Sequence, residues 1–77
     1  MRDEYSSQSQ AKEIKIGLVT NALPNTMFRV EIDEGKRVLA HMSGKMRLHH
    51  IKVLVGDRVK IEMDEYNPER AKIIQRL

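Results

Sequence analysis

Ser43-Gly44-Lys45-Met46-Arg47 sets two long cationic side chains two positions apart beside a glycine, with His41 just before them and His49, His50 and Lys52 just after. From Gly35 to Gly56 the chain holds five cations (Lys36, Arg37, Lys45, Arg47 and Lys52) and all three of its histidines, with no Asp or Glu. The chemistry this composition suits is phosphate binding. Crowded positive side chains repel one another and lower stability unless a polyanion or solvent offsets the cost. An ordinary solvated basic face is the alternative reading. The rest of the chain sharpens the choice, because residues 1–34 sum to −2 and residues 35–77 to +5, so a net charge of +3 hides an asymmetric distribution. A localised nucleic-acid footprint requires that asymmetry, and a uniformly soluble surface does not.

Other chemistries fit less well. His49-His50 is an adjacent pair with no cysteine in the chain and no carboxylate closer than Asp57, which is poor spacing for a closed zinc site. A hydrolase using either histidine as general base, oriented by Asp57 or Glu65, would still lack a nucleophile motif and a phosphate-cradling glycine loop. The residues therefore call for neither a catalytic group, nor a metal, nor a cofactor. Without cysteine the chain has no disulfide or thiolate site, as suits a reducing, cytosol-like compartment.

At 77 residues the chain is one small domain. Such a domain buries only about 60% of its unfolded surface, so nearly every apolar side chain is expected in the core. Uninterrupted apolar runs such as Val38-Leu39-Ala40 and Val53-Leu54-Val55 reach three residues, against the ~20 that cross a bilayer. No membrane role is expected. Residues 1–12, with Arg2, Asp3, Glu4 and a Ser/Gln tract, read as a flexible polar leader with no apolar signal core, and residues 13–77 as the single folded domain.

Past the leader the dominant period is two. Ile14, Ile16 and Leu18, separated by Lys15 and Gly17, predict a first strand, and Asn21 to Asn25, with Pro24, supplies turn chemistry. Phe28, Val30 and Ile32 alternate with Arg29, Glu31 and Asp33 as a half-buried second strand should, which puts Phe28 in the core. Glu34-Gly35 reverses the chain, and Lys36 to His41 returns antiparallel as a third strand. Ser43 is a good N-cap for one or two helical turns over 44–51. Gly56-Asp57 marks a turn, and Val59, Ile61 and Met63 a fourth strand. Asp64 to Pro68 is a loop, followed by a fifth strand around Lys72 to Arg76.

Three strands, a short helix and two more strands predict an all-β fold: a five-stranded Greek-key barrel of the oligonucleotide-binding (OB) type, with the helix between strands three and four. An SH3-like barrel is the alternative, and the position of the helix favours the former. Closure also removes the sheet edges that so small a core could not otherwise protect.

Three segments say more than periodicity does. Leu23-Pro24-Asn25-Thr26-Met27-Phe28-Arg29-Val30, then Ala40-His41-Met42-Ser43-Gly44-Lys45-Met46-Arg47, then Gly56-Asp57-Arg58-Val59 resemble, in order and spacing, the family of bacterial translation initiation factor one, over about Ile14 to Arg76. The resemblance implies a non-catalytic OB barrel that occupies the aminoacyl (decoding) site of the small ribosomal subunit, blocks premature tRNA access and assists the other initiation factors. Implied partners are small-subunit rRNA, neighbouring ribosomal proteins and those factors. The implied setting is a monomer in a bacterial cytoplasm or an organelle of bacterial descent.

The resemblance also implies that Ser43, Gly44, Lys45 and Arg47 approach the minor groove of the decoding helix. A-form RNA has a wide, shallow minor groove, so a small cationic loop can reach phosphates and 2′-hydroxyls together. Gly44 either lets the backbone come close or simply starts a helix. Arg29, Arg37, Lys52, Arg70 and Lys72 are candidates for backbone contacts that set orientation. His41 and Tyr66 are candidates to stack on or hydrogen-bond to RNA. Leu48-His49-His50 departs from a stretch that is more often basic, polar or aromatic in that family.

The rival is a single-strand RNA chaperone of cold-shock type on the same barrel. Such proteins stack successive bases on clustered aromatics. This chain has only Tyr5, Phe28 and Tyr66, so recognition of folded RNA by shape and phosphate is the better reading.

Overall fold

The computed structural model describes residues 13–77 and contains five strands and one helix. These are β1 (Ile14–Leu23), β2 (Met27–Glu31), β3 (Arg37–Met42), α1 (Gly44–Leu48), β4 (Arg58–Met63) and β5 (Arg70–Arg76). The expected leader lies outside the described residues. The strands close into a barrel in the order β1-β2-β3-β5-β4, with α1 between the third and fourth strands, as predicted. All neighbours are antiparallel except β3 and β5, which run parallel and set Ala40 beside Ala71 and His41 beside Lys72.

β1 is longer than its apolar alternation indicated. Its first half pairs with β4 from Ile14 to Leu18, and its second half with β2 from Leu18 to Leu23. A bulge between Val19 and Asn21 bends the strand from one neighbour to the other. The expected turn over Asn21 to Asn25 therefore narrows to a 3₁₀ turn at Pro24–Thr26, where Pro24 fixes the first φ and Asn25 takes φ 65°. The β2–β3 reversal follows expectation, with Glu34 at φ 51° and Gly35 at φ 81°. β2 ends at Glu31, one residue before Ile32, whose amide donates to the Lys36 carbonyl at 2.7 Å and closes the turn.

Inward-facing residues of every strand fill the barrel: Val19, Phe28, Val30, Val38, Ala40, Val59, Ile61, Met63, Ala71 and Ile73 are buried together with Val53 and Met46. Phe28 is a core residue, as its register required. The first strand breaks the expectation that nearly all apolar side chains are used. Ile14, Ile16 and Leu18 remain 47, 47 and 41% exposed, while Gly17 and Val19 face inward. Gly17 explains the choice of face. A Cβ there would collide with Val30 Cγ1 and lie 2.9 Å from the Glu31 carbonyl oxygen, so the bare backbone of β1 presses directly on β2.

Candidate nucleic-acid interface

α1 starts where β3 ends, and its attachment to the barrel decides what it displays. Ser43 is buried, its amide donates to the Ile73 carbonyl of β5 at 2.9 Å, and its hydroxyl oxygen accepts the Met46 amide at 3.2 Å. That is a helix N-cap: the side chain satisfies a backbone donor that the first turn leaves open. Met46 then drops into the core at 2% exposure. With that one face anchored, Lys45 and Arg47 on either side of Met46 point to solvent. Ser43 thus positions the cations through the cap, whereas Gly44, Lys45 and Arg47 are exposed.

Gly44 has an informative environment. A Cβ added there meets nothing within 4 Å, and its φ lies outside the left-handed region. Neither packing nor backbone conformation demands glycine. Open space above a helix-start backbone suits close approach of an external group better than it suits an internal structural need.

The parallel β3–β5 seam gathers residues far apart in the chain. Across the outer face one row runs Arg29, Leu39, Arg70, and the next runs Met27, His41, Lys72, Glu62. Neighbouring strands lie about 4.8 Å apart, so Arg29 and Arg70 have Cα atoms about 10 Å apart on either side of Leu39. Beside His41, Arg70 and Lys72 opens a depression of about 270 Å³, which Tyr66 also lines. The loop holding Tyr66 is braced: Asp64 Oδ1 accepts the amides of Tyr66 and Asn67 at 2.8 and 3.1 Å, and Asn67 Oδ1 accepts that of Glu69 at 3.0 Å. Such side-chain turns substitute for a backbone ladder. Tyr66 is left 89% exposed on a fixed support.

The structure thus brings His41, Tyr66, Arg70 and Lys72 together, with α1 and its Lys45 and Arg47 emerging from the same end of β3. Arg29 stands one row away. Arg37 and Lys52 do not join this cluster: Arg37 lies at the far end of β3 opposite Glu31, and Lys52 follows α1 in the loop to β4, where its carbonyl accepts Arg76 Nη1 at 3.4 Å. Sequence reasoning overlooked the acidic wall of the depression, formed by Glu62, Asp64 and Glu65. Glu62 Oε1 lies 3.8 Å from Lys72 Nζ and lowers the local positive field. The signal was present in the alternation of Glu62 with Ile61 and Met63, but its partner is set by the β4–β5 register. Among the described residues, no three His, Cys, Asp or Glu gather to hold a metal ion.

Residues 3–77 match the family described as eIF-1a, translation initiation factor 1A / IF-1. Among solved structures, the fold is similar to the solution structure of translation initiation factor one from the Wolbachia endosymbiont strain TRS of Brugia malayi. Sequence identity is 37% over 99% of this chain and 86% of that one, with a TM-score of 0.75. It is also similar to the crystal structure of YjeQ from Thermotoga maritima, at 35% identity and a TM-score of 0.68, over 84% of this chain but only 23% of that one. The near full-length family match and the shared OB barrel agree with the three sequence segments, and the chain belongs to the translation initiation factor 1A / IF-1 family.

Proposed function

We propose that this initiation factor binds small-subunit rRNA at the aminoacyl (decoding) site, blocks premature tRNA access there and assists the other initiation factors. The observation that carries the reading is the capped, core-anchored α1, which holds Lys45 and Arg47 in solvent beside an unobstructed Gly44 backbone. A rigid cationic projection suits a shallow RNA minor groove because phosphates and 2′-hydroxyls lie within reach of one short element. His41, Arg70 and Lys72 supply further contacts along the seam, and Tyr66 offers a ring or hydroxyl to a base. Arg29, Arg37 and Lys52 extend the positive field and set orientation. In this role the factor works by occupancy, as a monomer in a bacterial cytoplasm or a related organelle, and carries out no chemistry.

The cold-shock alternative needs a platform of stacked aromatics. Phe28 is buried at 7% exposure, and Tyr66 is the one exposed aromatic among the described residues. Folded RNA is the better ligand.

The test is binding of labelled protein to purified small ribosomal subunits across a salt series. Neutralising about five phosphates gives a slope of log K against log salt of about −3 to −5, and Lys45→Ala or Arg47→Ala reduces its magnitude by about one. Equal binding to any unstructured RNA strand, or indifference to both substitutions, would overturn the reading.

A further inference from the structure

β1 presents an apolar surface used by neither the core nor the cationic seam. Ile14, Ile16 and Leu18 are alternate residues of one strand, so they form an outward stripe about 13 Å long. Their partners across the ladder on β4 are Glu62, Lys60 and Arg58, in that order, and Leu18 faces Glu31 on β2. Beside the stripe lies a shallow depression of about 190 Å³, lined by Ile16, Gly17, Leu18, Glu31 and Arg58. In the barrel order β1 touches only β2 and β4, which places it across the barrel from the β3–β5 seam. A polyanion seated on that seam leaves the stripe facing away.

We propose that the outer face of β1 is a docking surface for a protein helix that carries an apolar ridge flanked by carboxylates. The ridge covers Ile14, Ile16 and Leu18, one of its side chains enters the depression, and its acidic flank lies over Lys60 and Arg58. Charge complementarity fixes the orientation, since Lys60 and Arg58 flank Ile16 and Leu18 on the β4 side, while Glu62 stands at the Ile14 end and Glu31 on the β2 side. The stripe side chains stand out from the face of the β1–β4 ladder, so a helix laid on them packs side chain against side chain. Helix residues three or four apart are spaced about 5–6 Å, close to the ~7 Å between alternate strand residues, so the two ridges can interleave.

Two other occupants fit worse. Aliphatic side chains give nucleobases no ring to stack on, which disfavours RNA. A second copy packed about a two-fold axis across the strands would set Lys60 against Lys60, and the oligomeric state tests this occupant. Three half-exposed side chains and their rim amount to a few hundred Å² per partner, the range of weak, transient contacts. Such a contact suits a partner that joins and leaves during assembly.

The experiment is an NMR titration of the full chain with a synthetic amphipathic helix carrying a leucine ridge flanked by Glu, and in parallel with the same peptide flanked by Lys. Saturable shifts of the Ile14, Ile16 and Leu18 methyls with the Glu-flanked peptide are expected, weakened about tenfold by Leu18→Ser. The double variant Arg58→Glu/Lys60→Glu, which leaves the stripe intact, should reverse the preference between the two peptides. An unchanged amide spectrum elsewhere establishes that each variant is folded. The proposal is overturned by equal response to both peptides, by no saturable shift at the stripe, or by an RNA oligonucleotide that moves the same methyls in place of the peptide. Self-association of the unliganded chain that Leu18→Ser abolishes would assign the face to a second copy instead.

Discussion

The Ser43 hydroxyl oxygen accepts the Met46 amide at 3.2 Å, and Met46 is itself 2% exposed in the barrel core. Cap and anchor together turn five residues of helix, too short to be stable alone, into a fixed mount for Lys45 and Arg47. Ser43→Ala is expected to cost about 1 kcal/mol through loss of the cap, lowering Tm by about 4–8 °C for a domain of this size. Calorimetry measures the first effect. Binding to small ribosomal subunits should weaken as well, although the substitution leaves every cation in place; unchanged affinity would make the cap irrelevant to display.

Two glycines should respond in opposite ways. Gly17→Ala forces a methyl group into Val30 and the Glu31 carbonyl, and such overpacking costs about 1–3 kcal/mol. Gly44→Ala meets open space and gains helix propensity, which stabilises by about 0.5 kcal/mol. If RNA approaches the Gly44 backbone, the same Gly44→Ala variant is more stable yet binds the subunit less tightly. Denaturant midpoints and subunit affinities, measured on both proteins, separate the effects.

Glu62 sits across the β4–β5 ladder from Lys72, with 3.8 Å between Oε1 and Nζ. The carboxylate competes with phosphate for that ammonium. Glu62→Gln should therefore tighten RNA binding by about threefold, the scale of one exposed ion pair. Lys72→Ala, in turn, should flatten the salt slope less than Lys45→Ala does. A Glu62→Gln protein with weaker affinity would place Lys72 outside the interface.

Lys15 Nζ donates to Asp33 Oδ2 at 2.5 Å and lies 3.4 Å from Glu13 Oε2. The hydrogen bond to Asp33, then that to Glu13, raises its pKa above the ordinary 10.5. Because the folded state holds this proton more tightly than the unfolded state, the stabilisation is complete below 10.5 and fades as pH rises through the higher folded value. The stability difference between the natural chain and Lys15→Met should stay constant from neutrality up to about pH 10 and shrink above it. Urea unfolding at a series of pH values measures the difference directly.

The barrel, its helix and the cationic projection were legible in the chain because each depends on local chemistry. Alternation marks strands, Ser43 marks a helix start, Glu34-Gly35 marks a reversal, and Lys45 and Arg47 flank an apolar residue whatever the barrel does. The 3₁₀ turn was harder to delimit, since bulges are settled by which neighbour a strand must reach and not by propensity.

By itself the sequence determined that five strands would form, which residues alternate, and that positive charge concentrates between Gly35 and Gly56. Period two says that a strand has two different faces, but not which one points inward. Only the tertiary structure turned Gly17 and Val19 into the barrel and left Ile14, Ile16 and Leu18 outside, because close approach to Val30 at Gly17 outweighs the apolar count of the other face. Likewise only the parallel β3–β5 register set Lys72 beside His41 and Arg70 beside Leu39. Pairing between segments some thirty residues apart is decided by closure of the whole barrel, which no local stretch of chain encodes.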